Sequence, residues 1–214
     1  MSKLLCFWVC CFLFISCADK SKEETGELPP SKKPVHLMNL LENGDCEKWY
    51  AGMDGDYLYG WSAKETQRTL FQESKIVCEG DFSAKLHSYQ AGITAFISQK
   101  INVAPGHHIR IYFHFFLTSF SGTAPRMYCY FRESASGNNI SNEILGEIYD
   151  ENTLGIIRGG GYGLKHFPTC EGEWQVFDYT IQVPAIARYF VFEIHSYVGT
   201  TLYVDDCYVV DIDM

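Results

Sequence analysis

Apolar and polar residues alternate along most of the chain beyond position 39, and the phase of the alternation can be read segment by segment. In a strand buried on one side, residues two apart share a face. Over 109–118, Ile109, Ile111, Phe113 and Phe115 make a wholly apolar set, which leaves Arg110, Tyr112, His114 and Phe116 opposite. Over 126–133, Met127, Cys129 and Phe131 oppose Tyr128, Tyr130 and Arg132. Over 189–195, Phe190, Phe192 and Ile194 oppose Tyr189, Val191, Glu193 and His195. Further strands are predicted over 97–103, 174–183 and 202–210, with Ala104-Pro105-Gly106, Ser136-Gly137-Asn138-Asn139, Pro184-Ala185 and Val198-Gly199 as punctuation. No stretch sustains a 3.6-residue period with caps at both ends. Many short strands at modest spacing predict an all-β chain folded as a jelly-roll β-sandwich.

The last of these strands breaks step. In TLYVDDCYVVDI (200–211), Leu202 and Val204 form one inward set and Cys207 and Val209 another, out of phase by one residue. The slip falls on Asp205-Asp206, two carboxylates that could equally guard a solvated strand edge against aggregation.

The outward sets carry the candidate chemistry. If the three strands share a sheet, Arg110, Tyr112, His114, Tyr128, Tyr130, Arg132, Glu193 and His195 make one surface of rings and hydrogen-bonding groups. Sugars suit such a surface: their C–H faces stack on aromatic rings while their hydroxyls bond to Arg, Glu, His and Tyr. Aromatic residues are also good strand formers wherever they sit, and the segment 137–167 is long enough to cover this face. Tyr57, Tyr59, Tyr162 and His166 offer a second position at the rim. Arg158–Gly163 (RGGGYG) lacks the strand–turn–helix context of a phosphate loop and reads as a surface loop.

Composition narrows the class. The chain has 214 residues and a net charge of −9, enough for one core, and no Lys/Arg cluster marks its folded part, which argues against a nucleic-acid partner. At the N-terminus, Lys3 is followed by an apolar run from Leu4 to Ile15, too short to span a bilayer and suited to a signal peptide over 1–16. Phe14-Ile15-Ser16-Cys17 resembles a bacterial lipoprotein box with Cys17 as the lipidated residue, although Phe stands where Leu is usual. A polar tether over 17–36 follows, too polar to bury a core, and the sandwich is expected over 37–214. Lys22-Glu23-Glu24 resembles the export signal of Bacteroidetes surface lipoproteins, which implies an outer-membrane lipoprotein exposed at the cell surface. Membrane attachment would rest on the acyl chains alone, because the charge opposes adhesion to anionic lipid. Of nine cysteines, Cys46, Cys78, Cys129, Cys170 and Cys207 lie in the folded part. Their odd number and the lack of a CxxC pair give neither a zinc site nor a closed disulfide set. Cys46, Cys129 and Cys207 stand where a small apolar residue is wanted and read as buried thiols.

Several segments then line up in order: NLLENGDCEKW (39–49), GWS (60–62), CEGDFSAKLHS (78–88), ISQKINVAPGHHIRIYFHFF (97–116), EWQVFDYTIQVPA (173–185) and TLYVDDCYVVDI. The series resembles the carbohydrate-binding modules of families 4, 9 and 22, jelly rolls of the galactose-binding type. Cys46 departs from a usual Phe and Cys207 from a usual Val. The resemblance implies that the first and last strands meet and that carboxylates on them ligate a structural calcium, at Glu47 and Asp205 with Asp206 as a third. A bulge would suit such a site by re-aiming a side chain and freeing a carbonyl. It also implies that Trp49, Trp61 and Trp174 pack the sandwich, and that a poly- or oligosaccharide lies in a groove on one sheet.

Catalytic signatures are lacking. There is no Gly-x-Ser-x-Gly elbow, His-Glu-x-x-His or Walker pattern, nor the Glu-x-Asp-x-x-Glu of sandwich glucanases. Glu133, Glu143, Glu147 and Glu193 are the carboxylates available for an acid–base pair, and seven histidines, His107-His108 among them, show no metal-ligand spacing. The expected function is non-catalytic glycan binding by a lipid-anchored protein, in company with outer-membrane glycan-uptake partners. The alternatives are an adhesin gripping a protein partner and a jelly-roll hydrolase or lyase.

Overall fold

Among the described residues the alternating pattern folds into twelve strands, and two short helices that it does not foretell join them. The computed structural model describes residues 32–52, 55–63, 69–120, 122–157, 167 and 172–214, and Ser31–Met214 make one compact unit. The signal peptide, Cys17, Cys170, Tyr162, His166 and the RGGGYG loop lie outside the described residues. The strands are β1 (Trp49–Gly52), β2 (Gly55–Leu58), β3 (Ser62–Ala63), β4 (Leu70–Glu73), β5 (Ser83–His87) and β6 (Ala95–Asn102), then β7 (His108–Phe120), β8 (Arg126–Met127), β9 (Tyr130–Arg132), β10 (Gln175–Gln182), β11 (Tyr189–Ser196) and β12 (Thr200–Asp211). Helices α1 (Asn142–Ile148) and α2 (Glu151–Leu154) lie between β9 and β10.

The first sheet has the order β10-β7-β12-β5-β4 and the second β3-β6-β11-β8, with β9 also paired to β11; β1 and β2 form a separate hairpin. The two large sheets face each other across one core. Phe113 of β7 lies edge-on to Phe192 of β11 at 5.8 Å and stacks on Phe177 of β10 at 4.8 Å. Ile109, Ile111 and Phe113 are fully buried, as are Met127, Phe131, Phe190, Phe192 and Ile194, so the inward sets expected for all three strands point to the core. Cys46, Cys129 and Cys207 are buried free thiols in the same core. Burial, the main cause, pushes the Cys129 thiol up to about 12 and keeps it protonated. Trp49 and Trp61 pack against the core, and their ring N–H groups donate to the carbonyls of Cys46 and Asn43.

One sequence expectation needs correction: the strand expected over 126–133 is interrupted at Tyr128-Cys129, where the Tyr128 N–H still reaches Glu193 O at 2.8 Å. Of the segment 137–167, residues 137–157 run beside β9, with bridges Arg132 to Asn139 and Cys129 to Ile157, and send Ile140, Leu145, Ile156 and Ile157 into the core, while residues 158–166 lie outside the described residues.

The broken phase of the last strand is a β-bulge. Asp205 pairs with His114 and Tyr208 with Tyr112, so β12 spends one residue more than β7 over this interval. Asp206 takes the left-handed conformation, with φ of 54°. The extra residue returns Cys207 and Val209 to the core side. The segment 39–47 closes beside the bulge: Leu40 N–H donates to Val209 O, Cys207 N–H to Gly44 O, and the Asn39 amide to Cys207 O. A side chain at Gly44 would meet Cys207 O at 2.1 Å, which explains the glycine.

Candidate functional site

Sheet order divides the outward residues into two groups that cannot act together. Arg110, Tyr112 and His114 lie on β7 in the first sheet, whereas Tyr130 and Arg132 on β9, Glu193 and His195 on β11, and the intervening Tyr128 belong to the second. Their outer faces look away from each other across the sandwich. The shared surface expected from the sequence is therefore two surfaces, because two-residue alternation separates inside from outside and is silent on which sheet a strand joins.

The β7 group is closed by its neighbours. Arg110 Nε and Nη2 donate to the two Asp178 carboxylate oxygens at 2.7 and 2.8 Å, and Nη2 also to Lys32 O at 2.7 Å. Tyr112 is 2% exposed. The His114 Nδ1 lies 3.3 Å from Asp206 Oδ2, off-line for a hydrogen bond and close enough for a charge pair. This face holds structure rather than an open groove.

Beside it the bulge builds an acidic cavity of about 270 Å³ lined by Lys33, Asp45, Glu47, Glu79, Gly80, Asp205, Asp206 and Tyr208. Lys33, which the sequence places in the tether, puts its ammonium 2.6 Å from both Asp206 Oδ1 and Glu79 Oε2 and 5.2 Å from the Tyr208 ring centre. Burial works against the Lys33 charge, and the two carboxylates more than offset it, raising its pKa above the usual lysine range. Glu47 Oε1 accepts the Asp81 and Phe82 N–H groups; Asp205 Oδ2 accepts those of Cys78 and Glu79, and Oδ1 that of Asp206. Gly80 leaves room for the Glu47 carboxylate, since an added Cβ would fall 2.2 Å from Oε1.

The donor set fits the calcium implied by the resemblance in part. Five carboxylates against one ammonium favour a hard cation, and Glu47 and Asp205 both border the cavity. Burial pushes the Asp205 carboxyl up to about 6, against the pull of its three N–H partners, so a nearby positive charge would stabilise its ionised form. Asp206 does not fit as a third ligand, because its two oxygens face Lys33 and His114.

The Asp206 carboxylate is the main cause that raises the His114 pKa from its ordinary 6.5 to about 9, with burial opposing. A folded pKa above the unfolded one gives a contribution fully present below about 6.5 and lost as pH rises through about 9. Wild-type protein should lose more stability between pH 7 and pH 10, by chemical denaturation, than His114→Gln. Equal losses would remove this pair from the account.

The second sheet presents a different surface. Register places Phe96, His195 and Arg126 in one cross-strand row, and Ser62, Ser98 and Glu193 in the next, where the Tyr128 backbone joins. Lys100, Val191 and Tyr130 follow, then Asn102, Tyr189 and Arg132. Four rows run roughly 20 Å along the strands. Glu193 Oε1 and His195 Nε2 are 2.5 Å apart at the centre, and the Tyr128 ring stacks on His195 at 4.4 Å and 21°. Phe96 and Tyr197 flank His195 at 5.9 and 6.2 Å. The Arg126 guanidinium lies 4.8 Å over Tyr197, and its buried Nε has no hydrogen-bond partner among the described residues. Arg132 lies 5.1 Å over Tyr130 and donates to Asn139. Rings, a carboxylate and a cation with an unused donor thus share one half-buried face.

Sequence reading missed Arg126, Phe96 and Tyr197. Arg126 stands two residues before Tyr128 in the same outward phase, so its signal was present; Phe96 joins only through the β6–β11 register. Of the other carboxylates, Glu143 and Glu147 are exposed on α1 and Glu133 is exposed beyond β9.

No protein-family model matches the chain, and no curated protein does. Solved structures do match in fold. A carbohydrate-binding module of family 16 superposes with a TM-score of 0.52 at 16% identity, over 81% of this chain and 100% of that one. The enzymatically active domain of tailspike protein 4 of bacteriophage CBA120 gives a TM-score of 0.55 at 14% identity, over 81% of this chain and 21% of that one. The chain is thus a jelly-roll β-sandwich, a fold it shares with that family 16 module.

Proposed function

We propose that the protein binds a poly- or oligosaccharide, without cleaving it, on the outer face of the second sheet. The observation that carries this reading is the cluster of Tyr128, Glu193, His195 and Arg126, which joins a stacked ring pair to charged hydrogen-bonding groups in one shallow surface. Sugar recognition needs that combination: ring faces for C–H stacking and fixed polar groups for hydroxyls. The fold it shares with a family 16 carbohydrate-binding module supports the reading. Lipidation at Cys17, an outer-membrane, surface-exposed location and glycan-uptake partners complete the proposal. The test is a purified glycan array followed by titration of each hit. Saturable binding without release of reducing ends or unsaturated sugars supports the proposal, and binding that survives every substitution on this face refutes it.

Calcium held by Glu47 and Asp205 is a further part. Added calcium should raise the Tm of the isolated domain and EGTA should reverse the rise, as mass action requires of an ion that binds only the folded state. A Tm indifferent to both would remove the ion.

A further inference from the structure

The antiparallel register of β7 and β12 pairs Ile109 with Asp211, and the Ile212 N–H bonds to His108 O at 3.0 Å. Two adjacent histidines at one strand's start are thereby set against two aspartates at the other's end. His107 Nδ1 lies 2.8 Å from Asp211 Oδ2, and His108 Nδ1 lies 2.9 Å from Asp213 Oδ2. Donor atoms of His107, Asp211 and Asp213 all fall within 4.8 Å of one another. We propose that these three side chains form a site for a divalent transition-metal ion of the Zn²⁺ class, with His108 holding the Asp213 carboxylate in place.

Three features support this beyond proximity. First, the carboxylates are aimed by the backbone: His108 N–H donates to Asp213 Oδ2 at 2.7 Å, and Asp213 N–H to Asp211 Oδ1 at 3.0 Å. Ligands held by such supporting bonds lose little freedom when an ion arrives. Second, imidazole nitrogens with carboxylate oxygens favour zinc-class ions over calcium or magnesium, in contrast to the oxygen-only cavity at the bulge. Third, the His107 and His108 side chains are 38% and 46% exposed, so an ion can enter from solvent. A neutral ring that now donates from Nδ1 would carry its proton on Nε2 instead, leaving the Nδ1 lone pair for the metal with no net proton released. Donors about 2.1 Å from a shared tetrahedral ion stand roughly 3.4 Å apart, so the 2.8 Å pair has to open by about half an ångström. Bound there, the ion staples the turn before β7 to the end of β12.

The test uses untagged full-length protein, stripped with EDTA and dialysed into buffer with excess calcium so that any oxygen-only site is filled. Calorimetric titration with Zn²⁺ should show one equivalent bound at micromolar Kd or tighter. His107→Ala and Asp213→Asn should each weaken binding about tenfold or more. Asp213 is exposed, so the second variant is expected to keep the metal-free Tm, which separates loss of a ligand from loss of fold. Zinc binding that fails to saturate below millimolar, or that is unchanged in both variants, overturns the proposal and leaves two ordinary His–Asp pairs.

Discussion

Asp205→Ala lowers the unfolding free energy by about 3 kcal/mol or more at pH 7, read as a shift of the urea midpoint at constant slope. The side chain is fully buried and accepts three backbone N–H groups, from Cys78, Glu79 and Asp206, at 2.9, 3.2 and 2.7 Å. Each donor left dry and unpaired costs about 1–3 kcal/mol. Part of that loss is offset, because an ionised carboxylate buried here is itself unfavourable, as its pKa of about 6 records. Asp205→Asn keeps an acceptor oxygen without the charge and should lose about half as much. The pH dependence has a definite sign. A folded pKa above the ordinary 3.8 means that the protonation-linked part of the Asp205 contribution is fully present below that value and lost as pH rises through about 6, while the acceptor bonds remain. The gap between wild type and Asp205→Ala should therefore widen from pH 7 to pH 5. A gap that narrows would show that the charge, not the acceptor geometry, dominates.

Tyr128→Ala weakens glycan binding about 10–100-fold, and Glu193→Gln does the same within that range, which corresponds to about 1.4–2.8 kcal/mol each. Tyr128 supplies a ring already held parallel to His195, so removing it also frees the imidazole that pairs with Glu193. Changing Glu193 to Gln keeps the shape and removes the charge that orients His195. On the other sheet, Arg110→Ala should leave affinity within about twofold, because Arg110 is committed to Asp178 and Lys32. The contrast is the informative part. Affinity lost with Arg110 and kept with Tyr128 would move the glycan to the first sheet.

Much of the fold was legible in the sequence because burial on one side leaves a period-two record. The inward sets of β7, β9 and β11 follow it residue by residue, and even the bulge shows as a slip of phase at Asp205-Asp206. The site was legible only in part. Tyr128 and His195 were identified as outward, yet so was Tyr112, which is buried on the opposite sheet. Alternation records distance from the core, and both sheets of a sandwich write the same record. The His107–Asp211–Asp213 group was invisible for a related reason: its members are about a hundred residues apart, and only the β7–β12 register brings them together. Helices α1 and α2 span seven and four residues, too short to print a helical period.

The position of β12 also bears on how the molecule is made. It lies in the middle of the first sheet, between β7 and β5, yet it is the last strand of the sandwich to be synthesised. Without it the sheet falls into two halves, β10 with β7 and β5 with β4, and neither has a partner for its inner edge. A ribosome-bound chain must hold those halves apart until β12 clears the exit tunnel, so the first sheet closes only once that strand has emerged. Chains cut before Thr200 should be degraded rather than accumulate as smaller domains.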